Sequence, residues 1–267
     1  MRRCLSSGLP AALPLPTLPP VVRAPKSRAV LGIVQIPTDY VLEKEGAAIV
    51  ELFPGVEMSL QKMAFADDAI CADTYTQAAD NIAAAAATFL PRERCTVLGV
   101  ACTSLSFTLG PEHIDAQLLA ANPAAATTDM FRAQAAALRA LGVERVALVT
   151  PYIQELADAN ATALEAGQGS LRVVRRATMH LPRDEVTSQV DKETLRAWVE
   201  AVDCEEAEAV VVGCSAFRAA ERGFIDELEA AIGKPVVTST QAFIWNMLRL
   251  AGVEDRVAGY GALFATR

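Results

Sequence analysis

The chain has 267 residues, 52% of them hydrophobic and 21% charged, with a net charge of −8. That size and balance fit a soluble α/β enzyme with a substantial buried core, and no apolar run reaches the roughly 18 residues of a membrane span. An acidic body without a cluster of lysine and arginine disfavours nucleic acid and anionic membrane surfaces as partners.

Residues 1–29 stand apart. They hold Arg2, Arg3, Arg23, Lys26 and Arg28, no acidic residue, and six of the 14 prolines. This stretch reads as a disordered leader or an organellar transit segment, so the expected location is cytoplasmic, or organellar if 1–29 is cleaved on import.

From Val30 to Ile36 an apolar run predicts a strand ended by Pro37, and Thr38, Asp39 and Tyr40 open a loop into an acidic helix start at Glu43 and Glu45. Val56 to Met63 reads as a second strand by alternation, and the Ala-rich stretch from Tyr75 to Phe89 as one helix stopped by Pro91. A third strand runs from Thr96 to Ala101 with Cys102 at its exit. A helix from about Pro111, an Ala/Thr segment from Ala124 to Thr127 and a helix from Asp129 to Leu141 follow.

The second half repeats the alternation. It has strands at Arg145–Thr150, Leu171–Arg176, Ala209–Gly213 and Val236–Thr238, with helices over Ile153–Glu165, Asp191–Val202, Arg222–Ile232 and Thr240–Leu250. Pro151 is placed at the start of the first of these helices. Strands alternating with helices mean parallel sheets covered on both faces. The expected architecture is two pseudo-symmetric, doubly wound α/β halves, residues 30–137 and 138–267, with the site in the cleft between them. The C-terminal helix is a candidate to return to the first half.

Six cysteines without short regular spacing suggest free thiols in a reducing compartment. No Cys-x-x-Cys pair exists and the two histidines, His113 and His180, are far apart, so no metal site is assigned. Nor does a Gly-rich phosphate loop follow the first strand, so no cofactor is assigned. Cys71, Cys95 and Cys204 read as structural.

Cys102 and Cys214 differ from the rest. Each leaves a Val-rich strand and is followed at once by hydroxyl residues, Thr103 and Ser104 in one case and Ser215 in the other. Ligands of open α/β sheets bind beyond the carboxyl ends of the strands, so both thiols belong to the site region. Backbone N–H groups at a helix start, where both cysteines are expected, would stabilise a thiolate, a bound carboxylate and an enediolate. Two groups of similar pKa on opposite faces of a substrate can remove and return a proton beside a carboxylate.

The segments Ala101–Phe107, Thr150–Ile153, Gly213–Cys214, Pro235–Thr240, Arg249–Gly252 and Gly259–Gly261 together resemble the aspartate/glutamate racemase superfamily. They look most like its maleate cis-trans isomerase and arylmalonate decarboxylase branch. The resemblance covers roughly Val30 to Phe264. It implies a cofactor-independent enzyme acting on a small carboxylic acid, with Cys102 and Cys214 catalytic. It further implies that Thr103, Ser104 and Tyr152 contact the substrate carboxylate. The Ser215 hydroxyl can join them, and Pro37 and Asp39 after the first strand are further candidate binding positions.

The decarboxylase has glycine at the first cysteine position, so two thiols favour isomerisation or racemisation. A decarboxylase or dimethylsulfoniopropionate lyase is the alternative, and a non-catalytic carboxylate-binding protein the second. Two acids depart from the family pattern. Asp39 stands where the isomerase has asparagine, and Asp184 lies in a segment that is apolar in the decarboxylase. Both read equally as solvated loop acids or as partners for an ammonium or hydroxyl on the substrate. A homodimer is the default assembly.

Overall fold

The computed structural model describes residues 27–66, 69, 71–167 and 171–266, so Cys4 and most of the leader lie outside the described residues. Apolar runs with almost no exposed side chain form the middle strands of two four-stranded parallel sheets. The first contains β1 (Ala29–Gln35), β2 (Val56–Lys62), β3 (Val97–Ala101) and β4 (Ala126–Asp129), in the order β2-β1-β3-β4. The second contains β5 (Arg145–Thr150), β6 (Arg172–Thr178), β7 (Ala209–Val212) and β8 (Val236–Thr238), in the same order, β6-β5-β7-β8. Near-continuous Val, Ile and Leu suit strands covered on both faces, and helices supply the cover.

This repeated order places the chemistry. In each half the chain leaves one middle strand toward one edge and the other middle strand toward the opposite edge. The crevice of each sheet therefore opens between those two strands, β1 and β3 in one half, β5 and β7 in the other. The loops beginning at Pro37 and Cys102 flank one crevice, and those beginning at Pro151 and Gly213 flank the other.

The halves are tied by their last helices. Helix α6 (Met130–Ala140) packs against α11 (Ser239–Leu250), and α11 also lies on β1, β3 and α1 (Val41–Val50) of the first half. Gly99 on β3 allows that approach, because a Cβ there would sit 2.7 Å from the Phe243 ring. Thr128 Oγ1 donates to Asn246 Oδ1 at 2.7 Å across the same contact.

Several elements differ from the sequence expectation. The Ala-rich helix is two, α2 (Ala72–Ala78) and α3 (Asn81–Ala86), and Gln117 Oε1 accepts the Ala83 N–H freed by the break. As expected for Cys102, a helix begins directly after it, α4 (Thr103–Leu109). Gly110, at φ 80°, then turns the chain into α5 (Pro111–Ala121). The Ala/Thr segment becomes β4, an edge strand specified by pairing with β3 rather than by its own pattern. Pro151–Ile153 is a short loop, and α7 (Gln154–Gly167) starts after it. A short helix, α8 (Asp184–Thr187), follows β6, before α9 (Lys192–Val202) and α10 (Phe224–Ile232). No helix of the described residues is long and apolar enough to cross a membrane.

Candidate active site

Cys102 is the N-cap residue of α4, with extended backbone, and only 4% of it is exposed. Its Sγ faces the Leu105 N–H of the first helical turn and lies 3.6 Å from Ser104 Oγ, whose own proton goes to Tyr75. The N–H groups of that turn favour the thiolate. Burial works against them, and the nearby Asp184 carboxyl adds to it, so the thiol is pushed up to about 12.

Cys214 is also buried and also free. The expected helix start is absent here. After β7 the chain runs through turns and bends until α10 begins at Phe224, so the helix-start donors that Cys102 enjoys are missing. One backbone donor, the Ala216 N–H, reaches Sγ, while burial, Asp184, Asp39 and Cys102 push the thiol well up. The charge of Cys102 acts on Cys214, which puts the two halves' thiols in one site region.

Two tyrosines complete this centre. Tyr75 of α2, 1% exposed, accepts a hydrogen bond from Ser104 Oγ at 2.7 Å. Tyr152, from the loop after β5, is fully buried and its hydroxyl has no partner. Its ring meets the Phe107 edge at a centroid distance of 6.2 Å. Burial raises both phenols well above their ordinary value, and both are raised further by Cys102, Cys214 and Asp184. They are therefore neutral donors at any ordinary pH.

The acids are not solvated loop residues. Asp39 is 1% exposed, and its Oδ1 accepts the Val41 and Leu42 N–H groups at the start of α1. Its Oδ2 is buried without a partner, and Ser215 faces this carboxyl without closing a bond of normal geometry. Burial raises its pKa. Asp184 opens α8 and is 6% exposed. Its Oδ2 accepts from Thr38 Oγ1 at 2.7 Å, across the two halves, and burial raises its pKa to about 6. Pro37 is exposed and lines an outer groove with Thr38, Tyr40 and Arg183.

The turn at Thr103 and Ser104 is held from below. Thr103 Oγ1 donates to Ser239 Oγ at 2.9 Å, and Gln134 Nε2 donates to the same oxygen at 2.9 Å. The Thr103 hydroxyl is thus committed to the scaffold. What remains for an anion on that side is the start of α4, where first-turn N–H groups have no helical acceptor.

The structure brings Cys102, Cys214, Ser104, Tyr152, Asp39 and Ser215 together and leaves Pro37 at the rim. Tyr75, Thr38, Gln134 and Ser239 were not identified from the sequence. Thr38 had a signal, since it adjoins Asp39, and Ser239 lies in the segment Pro235–Thr240 that carries the resemblance; Tyr75 and Gln134 sit inside helical patterns that mark only core. The arrangement can take a proton on one side of a bound carbon and deliver one on the other. It can hold a carboxylate with neutral donors while it does so.

A family model described as arylmalonate decarboxylase matches residues 31–264. Arylmalonate decarboxylase from Bordetella bronchiseptica is 33% identical over 183 residues, 66% of this chain and 73% of that protein. Maleate isomerase from Nocardia farcinica is 27% identical over 249 residues, 87% of this chain and 94% of that protein. A solved mutant of arylmalonate decarboxylase in liganded form, with one glycine changed to cysteine and one cysteine to serine, superposes with a TM-score of 0.74. It is 27% identical, over 88% of this chain and 98% of that one. The fold is also that of a cysteine-to-serine mutant of Nocardia farcinica maleate cis-trans isomerase with a covalently bound succinylcysteine intermediate. There the TM-score is 0.78 at 21% identity, over 88% of this chain and 98% of that one.

Proposed function

Because the chain belongs to the arylmalonate decarboxylase family, we propose that it is a cofactor-independent isomerase or racemase of a small carboxylate that works with Cys102 and Cys214. The observation that carries this reading is the presence of two buried thiols at equivalent strand exits, with Cys102 near enough to act on Cys214.

The two thiols divide the work by their surroundings. Cys102 has a helix start behind it, so it is the thiol that ionises more readily. Cys214 has one backbone donor and remains protonated as the acid. In a racemisation the Cys102 thiolate removes the proton beside the carboxylate. The Cys214 thiol then delivers its own proton to the opposite face, and the reverse reaction exchanges the roles. Charge building on the carboxylate is met by the α4 N–H groups and the unpaired Tyr152 hydroxyl.

In a cis-trans isomerisation the Cys102 sulfur bonds to one alkene carbon while Cys214 protonates the other. Rotation about the resulting single bond follows. The Cys214 thiolate then recovers that proton and the Cys102 sulfur leaves. The succinylcysteine intermediate of the Nocardia farcinica mutant is consistent with this route.

A decarboxylase reading is favoured by the 33% identity to the Bordetella bronchiseptica enzyme. It requires only the thiol of the second half to return a proton. The test is proton NMR in D₂O with aspartate, maleate, a hydroxy acid and an arylmalonate, on the parent protein and on Cys102→Ala and Cys214→Ala. Loss of at least ~100-fold in both variants supports two-thiol chemistry. Turnover that survives without Cys102 but not without Cys214 replaces it with the decarboxylase reading. Ligand binding without any turnover by the parent protein would reduce the site to a binding module. Free thiols suit a reducing compartment, cytoplasmic or organellar, and a homodimer is the proposed assembly.

A further inference from the structure

We propose that Asp184 is a specificity-determining residue of this site. It selects small monocarboxylates that carry a hydrogen-bond donor, an ammonium or a hydroxyl, beside the reacting carbon, and it rejects dicarboxylates. This rests on the two-thiol reading above and adds the substrate class to it.

The geometry begins with position. Asp184 is 6% exposed and stands between the outer groove, which it lines with Thr38 and Arg183, and the reacting centre, where its carboxyl acts on Cys102, Cys214, Tyr75 and Tyr152. Thr38 reaches across from the other half and satisfies Oδ2. A second buried carboxyl, Asp39, acts on the same group, and its Oδ2 has no partner at all. A buried acceptor without a donor is expensive, and a donor on a bound molecule removes that cost.

Charge points the same way. The groups that act most strongly on these residues are one another, and no lysine, arginine or histidine is among them. Arg183, next in the chain, is exposed and lines the outer groove. Asp184 holds its proton only up to about pH 6, so at neutral pH it is mostly a carboxylate. One substrate carboxylate is met by the unpartnered Tyr152 hydroxyl. A second would lie beside Asp184, where the groups acting most strongly among the described residues include no cation. An ammonium or hydroxyl in that place instead donates to an anionic acceptor, among the stronger hydrogen bonds available to a protein.

The experiment compares molecules of one shape. Mandelate, phenylglycine and phenylmalonate differ only in the group beside the reacting carbon: hydroxyl, ammonium or carboxylate. α-Proton exchange, or consumption of phenylmalonate, is measured for the parent protein, Asp184→Asn, Cys102→Ala and Cys214→Ala. The parent is expected to favour mandelate or phenylglycine over phenylmalonate in kcat/KM. Asp184→Asn is expected to shift that ratio toward phenylmalonate by roughly tenfold or more, the worth of one charge-assisted hydrogen bond. Mandelate and phenylglycine separate the hydroxyl source of the donor from the ammonium source. A parent protein that prefers phenylmalonate overturns the inference even if Asp184→Asn does not fold, and so does an unchanged ratio in a folded variant. Turnover indifferent to both cysteines instead removes the underlying two-thiol reading.

Discussion

Glu45 offers a prediction whose sign reverses with pH. It lies on α1, is 4% exposed, and reaches the loop that carries Cys214, where its Oε2 accepts the Ala220 N–H at 2.9 Å. Its Oε1 is buried without a partner. Burial raises its pKa to about 8, with Glu221 and Asp39 adding to the rise and Arg218 and the Ala220 N–H opposing it. The folded state therefore keeps a proton that the unfolded chain loses near its ordinary value of 4.5. Stability tied to this group is present at low pH and falls as pH rises to about 8. At about 1.4 kcal/mol per pH unit the full cost above pH 8 approaches 5 kcal/mol, and relaxation around the site makes 2–4 a realistic range.

Glu45→Gln keeps the shape and the acceptor but cannot ionise. Near pH 5 it should cost about 1 kcal/mol, because its amide gains no better partner than the acid had. Near pH 9 it should be more stable than the parent by about 2–4 kcal/mol. Chemical denaturation at pH 5, 7 and 9, with equal slopes confirming the same unfolding reaction, measures both. A difference between variant and parent that is constant from pH 5 to 9 would refute the argument.

Two further outcomes follow from side chains already described. Tyr152→Phe removes a hydroxyl with no protein partner, so unfolding free energy should change by less than about 1 kcal/mol while kcat/KM falls about 10–100-fold, measured on any substrate the NMR panel identifies. An equal loss of stability and activity would mean that the hydroxyl is structural. Gly99→Ala drives a methyl into the Phe243 ring and should cost about 1–3 kcal/mol by denaturation, with Phe243→Leu in the same chain recovering part of it. Strict additivity of the two changes would show that they do not touch.

Much of the fold was legible in the sequence because burial on both faces writes a simple signal. The runs around Val30–Ile36, Val97–Ala101, Val146–Val149 and Ala209–Val212 are apolar almost throughout, and each is a buried strand. What failed was local pattern without burial behind it. Ala126–Asp129 carries no strand signal of its own and becomes one by pairing with β3. Helix propensity runs unbroken through the alanines from Ala83 to Ala87, yet the helix expected to start at Tyr75 is interrupted at Ala79 and Asp80, ahead of them. That separates the turn presenting Tyr75 from the one packing Ile82 beneath the sheet.

The sequence by itself determined the alternation of strands and helices, the two strand exits that end in cysteine and the acidity of the chain. These depend on residue type and spacing along one segment. Tertiary structure alone decided that Asp39 and Asp184 are buried, since both lie in polar stretches of sequence and groups of the opposite half, Ser215 and Thr38, face them. It also decided that Tyr75, Gln134 and Ser239 belong to the site, because their partners are 29 to 136 residues away in the chain. The two thiols acquire their high pKa values in the same way, from enclosure and from a carboxyl on a distant helix, and no local pattern encodes either.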